Sequence, residues 1–207
     1  MNNKIEELYR EYPCFHDYNE NWSIDKDIVD WICNNTFEGY NTLETGCGYS
    51  TVAFILSKAN HTVISPSEQE HLNIINWCNK HSIDLSRTTF IKEKSQNIIH
   101  SISKDPLDIA LIDGCHSFPV TFIDWYYTSN RMKKNGRIII DDVQIITGKL
   151  LTEFLNMEND RWELEKVSKI EVNSNIFDKS VIYRCLKENV NDYYWWGEQE
   201  FCKSIIK

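Results

Sequence analysis

Along the chain, short apolar runs alternate with stretches in which apolar residues recur every three or four positions. That alternation predicts strands buried on both faces and amphipathic helices covering them. Ser23 reads as an N-cap, with Asp25 and Asp27 in the first turn of a helix whose Ile28, Val29, Ile32 and Cys33 share one face. Strands are expected over 40–45, 61–65, 88–91, 107–112 and 137–140. A helix carrying Val52, Phe54, Ile55 and Leu56 follows the first strand. The capping box Ser67-x-x-Glu70 opens a second helix, and 95–102 reads as a short third. The helix near Pro119 carries Val120, Ile123 and Tyr127 on one face. Lys133-Lys134-Asn135-Gly136 reads as its stop signal. Residues 137–140 are nearly all isoleucine, as suits a strand with no wet face. Leu150, Leu151, Phe154 and Leu155 mark another helix, and 162–170 with 180–185 predict a closing hairpin.

The expected fold class is α/β: a doubly wound, mostly parallel seven-stranded sheet with helices on both faces and a C-terminal antiparallel hairpin. There is no internal repeat or linker, so 1–207 reads as a single domain. Within it, 1–22 is an N-terminal extension and 186–207 an aromatic tail. Tyr193-Tyr194-Trp195-Trp196-Gly197 is too aromatic to be left in water. It folds back, closes as a lid or makes a homodimer contact.

Composition narrows the choice of partners. Hydrophobic residues make up 42% of the chain, enough for a substantial core. No apolar run approaches the roughly 18 residues of a membrane span, and the start Met1-Asn2-Asn3-Lys4 has no apolar signal core behind it. A cytoplasmic protein without membrane attachment is expected. Seven scattered cysteines with no Cys-x-x-Cys pair suit reduced thiols. The formal charge of −9 would repel a polyanion, which disfavours nucleic acid as partner and leaves a small-molecule substrate.

Two clusters carry candidate chemistry. Glu44-Thr45-Gly46-Cys47-Gly48-Tyr49-Ser50-Thr51 stands where the first strand hands over to its helix. Glycine there permits a sharp turn and close backbone approach to a ligand, and the helix amides beyond it can hold a carboxylate. Thr51 occupies the slot of the third glycine of a dinucleotide fingerprint. Glu44 would repel a pyrophosphate but suits the ammonium of a methionine moiety. In these residues the chain resembles the Rossmann-like S-adenosylmethionine-dependent methyltransferases, from about Trp22 to Cys185. The resemblance implies S-adenosylmethionine as cofactor, with Glu44, Thr45, Gly46, Gly48 and Ser50 around it. It also puts Ser65, where relatives carry an acid, at the ribose. Ser95 falls among the groups around the adenine, and Asp113 joins the cofactor set. Glu68 or Glu70 could supply the acid that Ser65 lacks.

The second cluster is Asp113-Gly114-Cys115-His116 together with Asp141-Asp142. Strand ends on either side of the chain reversal open onto one crevice. Three carboxylates there repel one another unless a cation or proton intervenes, and oxygen ligands alone suit Mg²⁺, Mn²⁺ or Ca²⁺. Neighbours in a regular strand face opposite sides, so only one of Asp141 and Asp142 can be a ligand unless the chain bends after Ile140. An aspartate can also simply cap the next helix. An imidazole titrates near neutrality, so His116 could take a proton from a substrate hydroxyl. Here the chain resembles the metal-dependent O-methyltransferases of sugars and small natural products, and more distantly the catechol-type enzymes. That resemblance implies His116 as catalytic base, and Asp113, Asp141 and Asp142 as metal ligands. A non-catalytic binder of the same fold is the alternative. An iron-type hydroxylase would need a second histidine beside His116. Phe122 and Tyr127 fit core packing, Asp124 could bond His116 or face solvent with neither favoured, and Trp22 could pack against the domain or close over the cofactor.

Overall fold

The computed structural model describes residues 2–11 and 23–188. Its strands are β1 (Asn41–Thr45), β2 (Asn60–Ile64), β3 (Thr88–Ile91), β4 (Leu107–Ile112), β5 (Met132–Ile140), β6 (Trp162–Val172) and β7 (Asn175–Cys185). They form one sheet in the order β3-β2-β1-β4-β5-β7-β6. The first five run parallel, and β7 is antiparallel to both β5 and β6. The chain winds outward from β1 to β3 and then crosses back to β4. That reversal leaves a crevice at the C-terminal ends of β1 and β4.

Alternation along each strand builds the two layers. Ile109, Leu111 and Ile139 pack on one face with Ile28 and Val29 of α2 (Lys26–Asn35), Val52 and Phe54 of α3 (Tyr49–Leu56), and Trp77 of α4 (Glu68–Lys80). Ala110, Ile112, Ile138 and Ile140 pack on the other. They meet Ile99, just beyond α5 (Ser95–Ile98), Trp125 of α6 (Val120–Ser129), and Leu151 and Leu155 of α7 (Ile146–Met157). Successive side chains leave a strand on opposite sides, so a run of isoleucines feeds both cores at once.

Three expectations of local structure change. The stretch assigned to an N-terminal extension contains a helix, α1 (Asn2–Glu11), whose Ile5 and Leu8 are buried in the first core. Its Glu11 accepts a bond from the Trp77 indole at 2.9 Å. Ser23 is not the cap of α2. Asp25 holds that position, and its carboxylate accepts a bond from Ser168 at 2.6 Å instead of capping the helix. Lys133–Gly136 does not end a helix either. α6 stops at Ser129, and this stretch is the irregular beginning of β5. Lys133 reaches both oxygens of Asp108 at 2.8 Å, and a Cβ on Gly136 would crowd the Met132 side chain and the Lys133 carbonyl. The residue types that stop a helix also suit a bulged strand; the Asp108 partner decides between them.

The two final strands pair as expected and run further, to Val172 and from Asn175. No helix among the described residues is long and apolar enough to cross a membrane. The described cysteines 33, 47, 78, 115 and 185 are all free thiols. Trp22 and the aromatic tail lie outside the described residues.

Candidate active site

The ends of β1, β2, β4 and β5 open into one cavity of about 790 Å³. Gly46, Gly48 and Ser50 line it on one side, and Asp113, His116 and Asp142 on the other. Gly46 draws these two sides together. Its φ of +88° is open to glycine, and a Cβ there would overlap the Asp113 carbonyl oxygen. Backbone bonds continue the strand ladder into the loops, from Asp113 N to Thr45 O and from Asp141 N to Ile112 O, both 3.0 Å. Gly48 differs from Gly46: a Cβ built there meets nothing within 4 Å. Beside it, α3 begins, and a helix N-terminus can receive an anionic group.

Glu44 does not reach this space. It is fully buried, and its Oε2 accepts a bond from Ser50 Oγ at 2.7 Å. Its Oε1 accepts from Thr51 Oγ1 and lies 3.1 Å from His61 Nε2. The other ring nitrogen of His61 is 2.8 Å from Thr42 Oγ1. The acceptor positions of Glu44, expected to meet a ligand ammonium, face donors inside the fold in this structure. Thr45 is likewise buried and outside the cavity lining, and Ser50 lines the cavity with its hydroxyl directed to Glu44.

A carboxylate does stand beside Ser65. Ser65 Oγ donates to Glu70 Oε2 at 3.4 Å, and both residues line the cavity. Glu68 turns away to Lys92, 2.6 Å distant. Ser95 also lines the cavity, with its hydroxyl donating to Asp124 Oδ2 at 3.1 Å. Asp124 thus neither bonds His116 nor faces solvent. Burial pushes its carboxyl up to about 6 against the opposing bond from Ser95.

The second cluster has a member that the motifs did not announce. Lys179, from β7, lies 2.9 Å from Asp141 Oδ2 and also bonds Asp142 Oδ1. The adjacent aspartates can share it because Asp142 has a φ of +53°, which bends the chain just past β5. Asp141 Oδ1 accepts from Ser180 Oγ, so both its oxygens are occupied. Asp142 Oδ1 also accepts from Gln144 Nε2 at 2.8 Å, while Oδ2 lies 3.1 Å from His116 Nε2. Asp113 Oδ1 is 3.8 Å from the same nitrogen.

The charges sort these carboxyls. Burial raises Asp113 well above the ordinary carboxylate range, with Asp141 adding to the rise and Lys179 opposing it. Burial also raises Asp141, against Lys179. In Asp142 the bond and charge of Lys179, with help from His116, overcome burial and hold the carboxyl below its ordinary value.

These bonds bear on the expected metal set. Asp113, His116 and Asp142 offer atoms within 4.8 Å of one another. Asp141 does not join them: it is buried outside the cavity lining and bonded through both oxygens. The set Asp113, Asp141 and Asp142 does not fit a hard divalent ion, since an ammonium already lies between two of its members. Lys179 was not legible as a partner, because only the β5–β7 pairing brings it opposite Asp142.

Residues 43–143 match a family model described as a methyltransferase domain. No curated protein sequence matches the chain. Among solved structures, the chain is similar to the O-methyltransferase TomG of tomaymycin synthesis from Streptomyces achromogenes, in complex with SAM. The TM-score is 0.67 at 10% identity, covering 89% of each chain. It is similar to a candidate caffeoyl-CoA O-methyltransferase from Staphylococcus aureus, with TM-score 0.64, 16% identity, and coverage of 88% of this chain and 92% of that one. It is also similar to an rRNA methylase from Streptococcus thermophilus, with TM-score 0.62, 15% identity, and coverage of 80% and 99%. At such identities these likenesses carry the fold, and the acceptors of the three proteins differ.

Proposed function

We propose that this chain is a Rossmann-like S-adenosylmethionine-dependent methyltransferase, and that it methylates a hydroxyl group of a small molecule with His116 as the base. The observation that carries this reading is the shared cavity. The glycine turn lines one side of it, and on the other an imidazole has one nitrogen held by a carboxylate.

When bound, S-adenosylmethionine supplies an electrophilic methyl group on a sulfonium. The amides opening α3 suit its carboxylate. The cavity wall beside Gly48 is open to a ligand. Glu70 with Ser65 provides a carboxylate and a hydroxyl for the ribose hydroxyls, the role for which the residue at 65 alone is too weak. Ser95, positioned by Asp124, faces the space left for the base.

His116 does the proton chemistry. Asp142 lies at its Nε2, which favours the tautomer that carries a proton there and leaves Nδ1 to accept one. Nδ1 would take the hydroxyl proton while the acceptor oxygen gains the methyl group that the sulfonium gives up, leaving S-adenosylhomocysteine, and Asp142 would stabilise the imidazolium. Thr147 Oγ1 donates to the His116 carbonyl and ties this loop to α7. A small acceptor, of sugar or natural-product type, is favoured over RNA because the chain carries a net charge of −9 and the cavity presents several carboxylates. A divalent ion is left out of this reading, because Asp141, one of its expected ligands, is bonded elsewhere.

The test is turnover with S-adenosylmethionine and a panel of hydroxylated acceptors, read as S-adenosylhomocysteine formed. His116→Ala should lower kcat by about 10²–10⁴-fold and leave the Kd for S-adenosylhomocysteine within about threefold. Equal losses in both would remove His116 from the base role. Product with no acceptor in the panel would leave the non-catalytic binder as the better account.

A further inference from the structure

The acidic cluster at the ends of β4 and β5 requires a proton or a positive charge, since like charges buried together repel strongly. We infer that Lys179 is the resident cation of this cluster, standing where a divalent ion would otherwise sit, and that the site needs no metal. This inference rests on the methyl-transfer reading only for the role of His116; the exclusion of an ion stands on geometry alone.

The placement is built into the sheet. β7 runs antiparallel to β5, with Ile140 opposite Val181, so Lys179 arrives beside Asp142. The Val143 amide donates to the Lys179 carbonyl at 2.9 Å, which fixes the backbone there. The side chain is 7% exposed and bonds both aspartates. A solvent-facing lysine could swing away to admit an ion; this one borders the cavity but is held by two carboxylates.

The remaining atoms leave little for a metal. An ion on Asp113, His116 and Asp142 would share the Asp142 carboxylate with the ammonium, placing two cations side by side. It would also take His116 Nε2, the nitrogen that Asp142 holds. In the inferred arrangement Lys179 is a positioning residue. It orients Asp142 and thereby fixes which nitrogen of His116 is left to accept a proton. A lysine provides one positive charge without open coordination positions, so the acceptor hydroxyl would be activated by the imidazole rather than by a metal.

Mn²⁺ titration followed by electron paramagnetic resonance tests this on the full chain without reference to turnover. The free Mn²⁺ signal should be undiminished by wild-type protein, and chelator-treated protein should keep its turnover within about twofold. Lys179→Ala should acquire one Mn²⁺ per chain, because its carboxylates lose their counter-charge; Lys179→Arg should acquire none. A purely structural lysine would not move this readout in that direction. Stoichiometric Mn²⁺ binding by wild-type chain that Asp142→Asn abolishes would overturn the inference, whether or not Lys179→Ala folds. Failure of acceptor methylation with no Mn²⁺ bound would instead count against the function and leave the resident cation standing.

Discussion

Glu44 and Asp142 both flank a strand end on this sheet, yet they do opposite things. Glu44 is sealed beneath the glycine turn, with hydroxyls of Ser50 and Thr51 and the His61 ring around it. Asp142 lies on the cavity side of a left-handed bend, between Lys179 and His116. One carboxylate is bonded into the glycine turn; the other faces the cavity. The difference lies in the neighbours rather than in the residue type. A carboxylate ringed by donors from the following helix and the neighbouring strand becomes part of the scaffold, and one whose Oδ1 takes an ammonium and an amide keeps its other oxygen for the imidazole.

Several substitutions would break or sharpen this contrast. The largest effect is expected at Gly46, which joins the two halves. Gly46→Ala needs an alanine at positive φ against the Asp113 carbonyl, and should cost more than about 3 kcal/mol in chemical denaturation. A near-normal midpoint would mean that the two loops are not locked together.

Glu44→Gln comes next. It should destabilise the fold by about 2–3 kcal/mol by disturbing a buried network, with the Kd for S-adenosylhomocysteine changing less than about threefold. A tenfold weaker Kd at unchanged stability would make Glu44 a ligand contact rather than part of the scaffold.

Asp124 gives a pH signature. Its folded pKa, raised to about 6 chiefly by burial, exceeds the ordinary aspartate value, so the fold binds this proton more tightly than the unfolded chain does. Its contribution is full below about pH 4 and is lost as pH rises to about 6. Asp124→Asn should flatten that part of the profile and raise stability at pH 7.5 by about 2 kcal/mol, measured by urea denaturation at pH 4.5 and 7.5. An unchanged difference between the two pH values would show that burial does not govern this carboxyl.

The smallest stability change belongs to Gly48→Ala, within about 0.5 kcal/mol, because the added methyl meets open space. That methyl projects toward the proposed cofactor position, so S-adenosylhomocysteine should bind at least about tenfold more weakly by calorimetry. Unaltered affinity would move the ligand away from this turn.

Much of the fold was readable from local pattern. The strands at 88–91 and 107–112 were anticipated to the residue, because each is a β-branched or apolar run bounded by polar loops. Ser67 caps α4 as its capping box implied, accepting a bond from the Glu70 amide. Lys133–Gly136 was misread because its helix-stopping residues also suit a bulged strand. α1 went unseen because its pairing with Trp77 joins residues 66 positions apart.

The site divides along the same line. The sequence by itself determined that a glycine turn follows β1, that acidic residues with His116 stand at the ends of β4 and β5, and that parallel strands bring these ends to one crevice. Which carboxylates face inward was decided by tertiary structure alone. A side chain's direction depends on donors that arrive from distant strands, and neither His61 nor Lys179 is local to the carboxylate it meets. Spacing along a chain records what each residue can do, and only packing selects the partner with which it does so.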